Sequence, residues 1–535
     1  MSDRVDSSIL KNMHVTNNLT IANKNWNDFE EAIQNKKIIL YGLNHLIDYI
    51  WMRCKQNIEI IAAIDNDVNK QGYTLGDLLD NFDTKESAAV KISPRDILTD
   101  YDPNEVVILI SSYRYYEEIA DELDSKGYHC YFSILNLEAN FRAQMQRENL
   151  PYEDRNEHIL NYVKECSEKY PVQPKKIVFS LTIYLDHGKY ITEKLLEMDK
   201  TLDIVWIVGK PGLKVPKGVR TIFTDKRKQY IYEMETAGFW VYGTGVPAYL
   251  IKRKEQVYIQ TKHWGSITLK KFHLSNLKNV TVTFDAAKIN GELMDYVVSG
   301  SEFDENSCRV AFNFKGKFLR FGSPRSDILF SPDKCKEKVF KEYNLKPEEK
   351  VLIYAPTFRL DQEKNYFDLK WQGLDFDMLL EALQKKWSGT WKIFLRLHPA
   401  VKTRSNQIKK PSYVIDVSEY EDSQELVAAS DIMLSDFSSI IFESAYIMRP
   451  VFLYAPDKID YQKNDRELLL DYDSLPFPIA MTNEELANQI KNFDEVKYKE
   501  TVKAFLDKYG VHEDGHASER TAKFILDLIS KNQQS

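Results

Sequence analysis

Ser435–Ser439 carries the densest chemistry in this chain: a serine, an aspartate, a phenylalanine and two more serines. An apolar run, Asp431–Ser435, leads into it, and a helical pattern, Ile440–Met448, follows. A strand that turns into a helix here leaves Ser438 and Ser439 at the helix N-terminus. Free backbone N–H groups and the positive end of the helix dipole make that place attractive to an anion. The two hydroxyls add donors for phosphate oxygens, and Asp436 lies in the turn before them. Plain N-capping is the alternative, since serine does that well. Glu443 follows one helical turn on, in reach of a ribose hydroxyl or else as a surface glutamate.

Two histidines stand where strands end. Arg396–Pro399 closes an apolar run, so His398 sits at a strand's carboxyl end and can donate to a phosphate. Lys262–Ser266 follows the strand pattern Gln256–Thr261 and contains His263. An imidazole titrates near neutrality, at ~6.5 when unperturbed. His263 can therefore accept the proton of an incoming hydroxyl. For both histidines a structural role is the alternative. Lys270 and Lys271 lie just beyond and suit anionic acceptor groups. Tyr354–Arg359 again runs from strand to loop, bringing Thr357 and Arg359 to the same edge, and arginine suits bidentate phosphate contact. Phe321–Phe330 combines a turn with Arg325 and Asp327, as a phosphate contact or an inter-domain hinge.

These residues need a scaffold. At 535 residues the chain is long enough for about three domains at ~150 residues each. Hydrophobic residues are 43% and charged residues 28%, which excludes a disordered or collagen-like chain. A net charge of −8, from 72 basic and 80 acidic residues, gives no reason to expect nucleic acid as partner. Five scattered cysteines without a CxxC argue against a disulfide framework or a zinc knuckle and for a reducing compartment. No leader pattern and no spanning run of ~18 apolar residues is visible, so a cytoplasmic protein is expected.

Short apolar runs alternate with helical patterns, which is the mark of parallel α/β layers. A first block, 1–141, holds Lys37–Gly42, Ile58–Asp67 and Val106–Ser112 and reads as a small Rossmann-like unit. A helical linker, 142–171, follows. Two further α/β blocks, 172–340 and 341–535, are similar in size, and two such domains put a cleft between the carboxyl ends of their strands. In the first block, Asp65, Asn66 and Asp67 occupy the usual ribose position after a strand. The glycine turn there reads YGLNHL, however, and lacks GxGxxG, which argues against NAD(P). No second acidic cluster accompanies Asp65–Asp67, so no metal is expected.

Taken in order, QVYIQTKHWGSITLKK, SEFDENSCRVAF, FGSPRSDILF, KVLIYAPTFR, LRLHP, the stretch Asp416–Asp457 and DGHASER resemble the CDP-glycerol glycerophosphotransferase family of teichoic-acid glycerophosphate and ribitol-phosphate transferases and polymerases. The resemblance covers roughly Lys175 to Leu528 and is strongest from Lys350 onward. It implies a two-domain B-type glycosyltransferase fold behind the extra N-terminal domain, with acceptor side at 172–340 and donor side at 341–535. It implies transfer of an alditol phosphate from CDP-glycerol or CDP-ribitol to a lipid-linked or polymeric acceptor, for teichoic acid or capsule, with CMP leaving and no cofactor.

The resemblance also carries residue roles. His263 is similar to the family's general-base histidine, His398 to the histidine of its Arg-x-His-Pro motif, which helps hold the donor pyrophosphate, and Ser438 and Ser439 to its phosphate-binding serines, with Asp436 shaping the turn. A visit to the inner membrane face follows from such an acceptor, and a homo-oligomer is left open. The chain departs from the family pattern at one point. Trp264 separates His263 from Gly265, and Ser266 replaces the usual threonine. That either displaces His263 or rebuilds the acceptor pocket for a different hydroxyl. A B-type transferase using a nucleotide sugar and a non-catalytic member of the fold are the alternatives.

Overall fold

The computed structural model describes residues 26–532 apart from 270–289 and short gaps at 35, 45, 48–49, 51–53, 55–57, 81–84, 113–114, 149–154, 181–182, 210, 248, 362–365, 369–372, 400, 403–404, 406–407 and 465–467. Two compact units emerge. The first comprises Met1–Tyr184, Asp203–Trp240 and Pro247–Gln256, and the second Leu185–Leu202, Val241–Val246 and Val257–Ser535.

The first unit begins with β1 (Lys37–Tyr41), β2 (Ile60–Ile64), β3 (Ile92–Ser93), β4 (Val106–Ile110) and β5 (Tyr131–Ser133). They form one parallel sheet in the order β3-β2-β1-β4-β5. Side chains alternate between its faces. Ile38, Leu40, Val107 and Leu109 enter one core, and Ile39, Tyr41, Ile108 and Ile110 the other. A sheet buried on both faces requires nearly continuous apolar strands, which is why these runs lack a polar face. The expected linker is helical, as Ile134–Arg147 and Arg155–Lys169. The same unit holds β6 (Gln173–Ser180), β7 (Asp203–Val208), β8 (Val219–Phe223) and most of β9 (Ala237–Tyr242), in the order β9-β6-β7-β8.

In the second unit, β10 (Val257–Gln260), β11 (Tyr296–Ser299) and β12 (Lys317–Arg320) pair in parallel. A six-stranded parallel sheet follows. Its strands are β13 (Lys350–Ala355), β16 (Trp391–Leu395), β17 (Val414–Asp416), β18 (Ile432–Ser435), β19 (Val451–Tyr454) and β20 (Ile479–Ala480), with a small antiparallel hairpin of β14 (Arg359–Asp361) and β15 (Tyr366–Asp368) after β13. The order is β17-β16-β13-β18-β19-β20. From β13 the chain steps outward to β16 and β17, and from β18 it steps the other way to β19 and β20. The gap between the carboxyl ends of β13 and β18 is therefore the topological switch point, where open α/β sheets bind ligands.

Apolar burial holds this sheet together, with Leu352, Ile353, Ile393, Phe394, Met433, Leu434, Phe452 and Leu453 all fully buried. Phe394→Ala is expected to cost about 3–5 kcal/mol, through lost transfer energy and the cavity left behind. A denaturant titration followed by tryptophan fluorescence checks it.

Candidate active site

At the switch point, Ala355 of β13 lies in register with Ser435 of β18, so the loops that leave the two strands run side by side. Asp436 joins them. Its Oδ1 accepts the backbone N–H of Thr357 at 2.8 Å and of Phe437 at 2.7 Å, and its Oδ2 accepts Arg359 Nη2 at 2.9 Å. Arg359 is buried. It also donates through Nε and Nη2 to Asp457, at 2.9 and 3.0 Å, and through Nη1 to the Thr357 carbonyl at 2.6 Å. A guanidinium has five N–H donors, and these contacts use four of them. Burial acts to lower the Arg359 pKa, but Asp457 and Asp436 outweigh it and raise it. The expectation that Arg359 reaches freely for a phosphate thus meets a guanidinium filled by carboxylates.

Thr357 differs. It is buried, yet its Oγ1 has no hydrogen-bond partner among the described residues. An unsatisfied buried hydroxyl costs free energy unless something meets it, so this atom is suited to a ligand oxygen. His398 is exposed nearby in the chain's next strand end, its ring packed on Phe358 at 4.4 Å between centroids.

The serines do not cap in the expected way. Ser439 is the N-cap of the helix Ile440–Tyr446, but its side chain makes no cap bond and its backbone is already helical. Its Oγ instead accepts the Leu269 N–H at 3.0 Å and meets Thr268 Oγ1 at 3.3 Å. Among the described residues Ser438 Oγ accepts a long contact, 3.4 Å, from Ile440 N–H. Further along this helix, Tyr446 Oη accepts the Ile267 N–H at 2.9 Å. The helix that starts at the serines therefore holds the strand-like segment after His263.

Within that segment Lys262 and Trp264 point inward and His263 is exposed. Lys262 has a left-handed backbone, φ 65°, and its Nζ is paired with buried Asp304. Trp264 Nε1 donates to the same carboxylate at 3.0 Å, and its ring stacks on Phe312. Asp304 thus anchors the residues on either side of His263. The Trp264 departure has a structural reading: the extra residue is an anchor, and it leaves His263 facing out.

A largely buried ion cluster lies behind this loop. Arg325 pairs with Glu443, donates to Asp186 Oδ1 at 3.2 Å and donates to the His263 carbonyl at 3.1 Å. Glu443 also accepts Gln424 Nε2 at 2.7 Å, so both its oxygens have protein partners rather than standing open for a ribose. Burial pushes the Glu443 carboxyl up, against the opposing pull of Arg325 and Gln424. At Asp186 burial raises the carboxyl, but Arg325, helped by the His187 backbone N–H, outweighs it and leaves it lowered. His187 is buried and pushed down to about 3 by desolvation. It is therefore neutral, with Nε2–H donating to the Trp264 carbonyl at 3.0 Å and Nδ1 accepting the Arg325 N–H at 3.4 Å.

Lys270 and Lys271 lie outside the described residues. The structure brings Thr357, Arg359 and Asp436 together through the contacts above, with Ser438 and Ser439 following Asp436 in the chain, and links Arg325, paired with Glu443, to the backbone of His263. Sequence reasoning missed Asp186, His187, Asp304 and Glu513. The stretch Leu185–Gly188, an Asp-His pair before a glycine, was a visible signal for two of them. Glu513 gave none, because its partners come from distant segments. It accepts Ser323 N–H at 3.0 Å and pairs with Ser266 Oγ.

This arrangement defines a parallel α/β protein with a buried, unpartnered hydroxyl and a tightly bonded turn at the carboxyl edge of its six-stranded sheet. Residues 163–527 match CDP-Glycerol:Poly(glycerophosphate) glycerophosphotransferase, and the chain belongs to that family. It is 30% identical over 381 residues to the teichoic acid poly(glycerol phosphate) polymerase of Staphylococcus epidermidis, covering 68% of this chain and 51% of that protein. It is 31% identical over 364 residues to the teichoic acid glycerol-phosphate transferase of Staphylococcus aureus, covering 64% and 90%. The structure of the wall teichoic acid polymerase TagF superimposes with a TM-score of 0.61 at 28% identity, over 71% of this chain and 95% of that one. The chain spans about half the length of the Staphylococcus epidermidis protein.

Glu513 yields a pH dependence. Burial raises its carboxyl to about 7 despite the bonds from Ser266 and Ser323. An unfolded glutamate titrates near ~4.3. The folded state therefore holds this proton more tightly, and the stabilisation is full below ~4.3 and lost as pH rises to about 7. Glu513→Gln should remove this slope. Measured by chemical denaturation, the variant should gain roughly 3 kcal/mol on wild type between pH 4 and pH 8.

Proposed function

We propose that this chain transfers glycerol phosphate, or ribitol phosphate, from its CDP-linked form to a hydroxyl of a teichoic-acid-like or capsular acceptor, releasing CMP. The observation that carries the reading is the unpartnered Thr357 hydroxyl beside the Asp436 turn, at the switch point of a family member's six-stranded sheet. The donor's phosphates sit there, met by Thr357, Ser438 and Ser439, with His398 donating from the neighbouring strand end. Arg359 keeps Asp436 in place, and Arg325 holds the His263 carbonyl and Glu443. Their charge lies beneath the site rather than in direct grip on the donor. We keep 172–340 as the acceptor side and 341–535 as the donor side.

Phosphoryl transfer asks for positioning and charge neutralisation more than for covalent chemistry. The acceptor oxygen forms a bond to the phosphorus that carries the alditol. The bond from that phosphorus to the bridging oxygen breaks, and the oxygen leaves with CMP. His263, exposed between two buried anchors, takes the acceptor's proton. A lipid-linked or polymeric acceptor brings the protein to the cytoplasmic membrane face as a peripheral protein. No helix among the described residues is long and apolar enough to cross a membrane.

The test mixes the protein with CDP-glycerol and, separately, CDP-ribitol, together with a teichoic or capsular acceptor fragment. CMP release and product mass are followed. One donor should release CMP, and the product ladder gives the alditol and the number of units added. His263→Ala should lose at least ~100-fold in turnover, the low end for a general base, with donor binding intact. Ser438→Ala combined with Ser439→Ala should weaken the donor instead. Wild-type turnover in the His263 variant would sink the base assignment. No CMP from either donor would overturn the reaction and turn attention to nucleotide sugars.

A further inference from the structure

The first unit carries a cavity of about 1000 Å³. It opens outside the carboxyl ends of β1, β2 and β4, where Gly42, Asp65 and Ser112 line it. The sheet order β3-β2-β1-β4-β5 makes the gap between β1 and β4 a second topological switch point. The family match begins at residue 163 and leaves this cavity without a role.

Three features define what fits. Gly42 keeps the mouth open: its φ is +75°, and a Cβ there would stand 3.1 Å from Ser112 Cβ. A side chain at that position would meet both steric and backbone cost. Asp65 is fixed in place. Its carboxylate accepts the N–H groups of Leu43 and Asp67, each at 2.9 Å, and Lys70 Nζ at 3.0 Å. The third feature is charge. Five carboxylates line the cavity, those of Asp65, Asp67, Asp96, Glu118 and Glu122. Among the described residues three cations line it, and each is engaged: Lys70 with Asp65 at 3.0 Å, Lys126 with Glu122 at 2.7 Å and Arg95 with Glu122 at 3.5 Å.

Among the described residues, a phosphate would meet a net negative wall whose cations are already paired. A hydroxyl-rich uncharged molecule would meet acceptors for its O–H groups, among them exposed Glu118. Tyr115, 53% exposed and also lining the cavity, offers a ring face to a base or to the C–H face of a sugar. We propose that this cavity binds an uncharged ligand bearing a vicinal diol, either the ribose of a nucleoside or a free sugar or alditol. The carboxylates accept the diol's protons, and Tyr115 covers the apolar face. This site is separate from the donor position and does not depend on the reaction proposed above.

Calorimetric titration of the full chain with cytidine, adenosine, ribitol and glucose tests it, with CMP as the phosphorylated control. The expected result is saturable binding by the nucleosides or by the polyols, and that split names the source. The 2′-deoxynucleosides should bind more weakly if ribose is the handle. Glu118→Gln and Tyr115→Ala, both at exposed positions, should each weaken binding about tenfold. The paired Ser438→Ala and Ser439→Ala variant should bind unchanged, which separates this cavity from the donor position. Three results would overturn the proposal: no saturable binding by any of the four probes, binding unmoved by the cavity variants, or tighter binding of CMP than of cytidine that the cavity variants weaken.

Discussion

A carboxylate taken out of water has to be met by donors, and in this protein one such carboxylate ties the site together. Asp436 is 1% exposed. It receives two backbone N–H groups and one guanidinium, and those donors come from the loops after β13 and β18 and from the first residue of β14. Removing a partner from a buried pair strands a charge at a cost of about 3–5 kcal/mol. That penalty keeps Arg359 between Asp436 and Asp457 and makes the turn rigid. Rigidity is useful where a diphosphate must be held in one geometry, because a small misplacement of the reacting atoms is expensive in rate.

The same physics recurs behind the His263 loop. Arg325 is partly buried against Glu443 and Asp186, and the cluster includes the backbone of the loop through the His263 carbonyl. His187 completes it as a neutral ring, since burial suppresses its charge. On the other side of His263, Asp304 binds both Lys262 and Trp264. The histidine is thus presented by a loop whose backbone and neighbours are fixed while its own side chain stays exposed. The helix that starts at Ser439 supports the continuation of this loop through Ser439 and Tyr446. Motifs that lie far apart along the chain become one structure through these few bonds.

The N-terminal sheet obeys the same topological rule with different chemistry. Its switch point has a glycine turn and an acid after the second strand, as nucleotide-binding sheets do. Among the described residues it shows no uncommitted positive charge of the kind a pyrophosphate needs, since Lys70, Arg95 and Lys126 are all paired. Fold position says where a ligand goes, and the local charge balance says which kind.

The sequence alone was enough to determine the parallel α/β class, the three sheets and the strand ends on which Thr357, His398, Asp436 and His263 sit. Strands buried on both faces must be continuous apolar runs, and their carboxyl ends must carry the loops, so period and punctuation reveal them. The motif order carried the family likewise. Partnership was not legible. Arg325, Arg359 and Glu443 read as ligands for phosphate or ribose because an isolated charge invites a solvent-borne partner. Only the tertiary structure showed that each is largely withdrawn from water and occupied, because Asp186 and Asp457 arrive from segments far away in sequence and Gln424 from the preceding helix. Trp264 was ambiguous for the same reason: whether an extra residue displaces its neighbour or anchors it depends on Asp304 and Phe312, which lie some 40 residues further along the chain. Burial and pairing belong to the folded chain, since the cost of an unpaired charge arises only once water has been removed from around it.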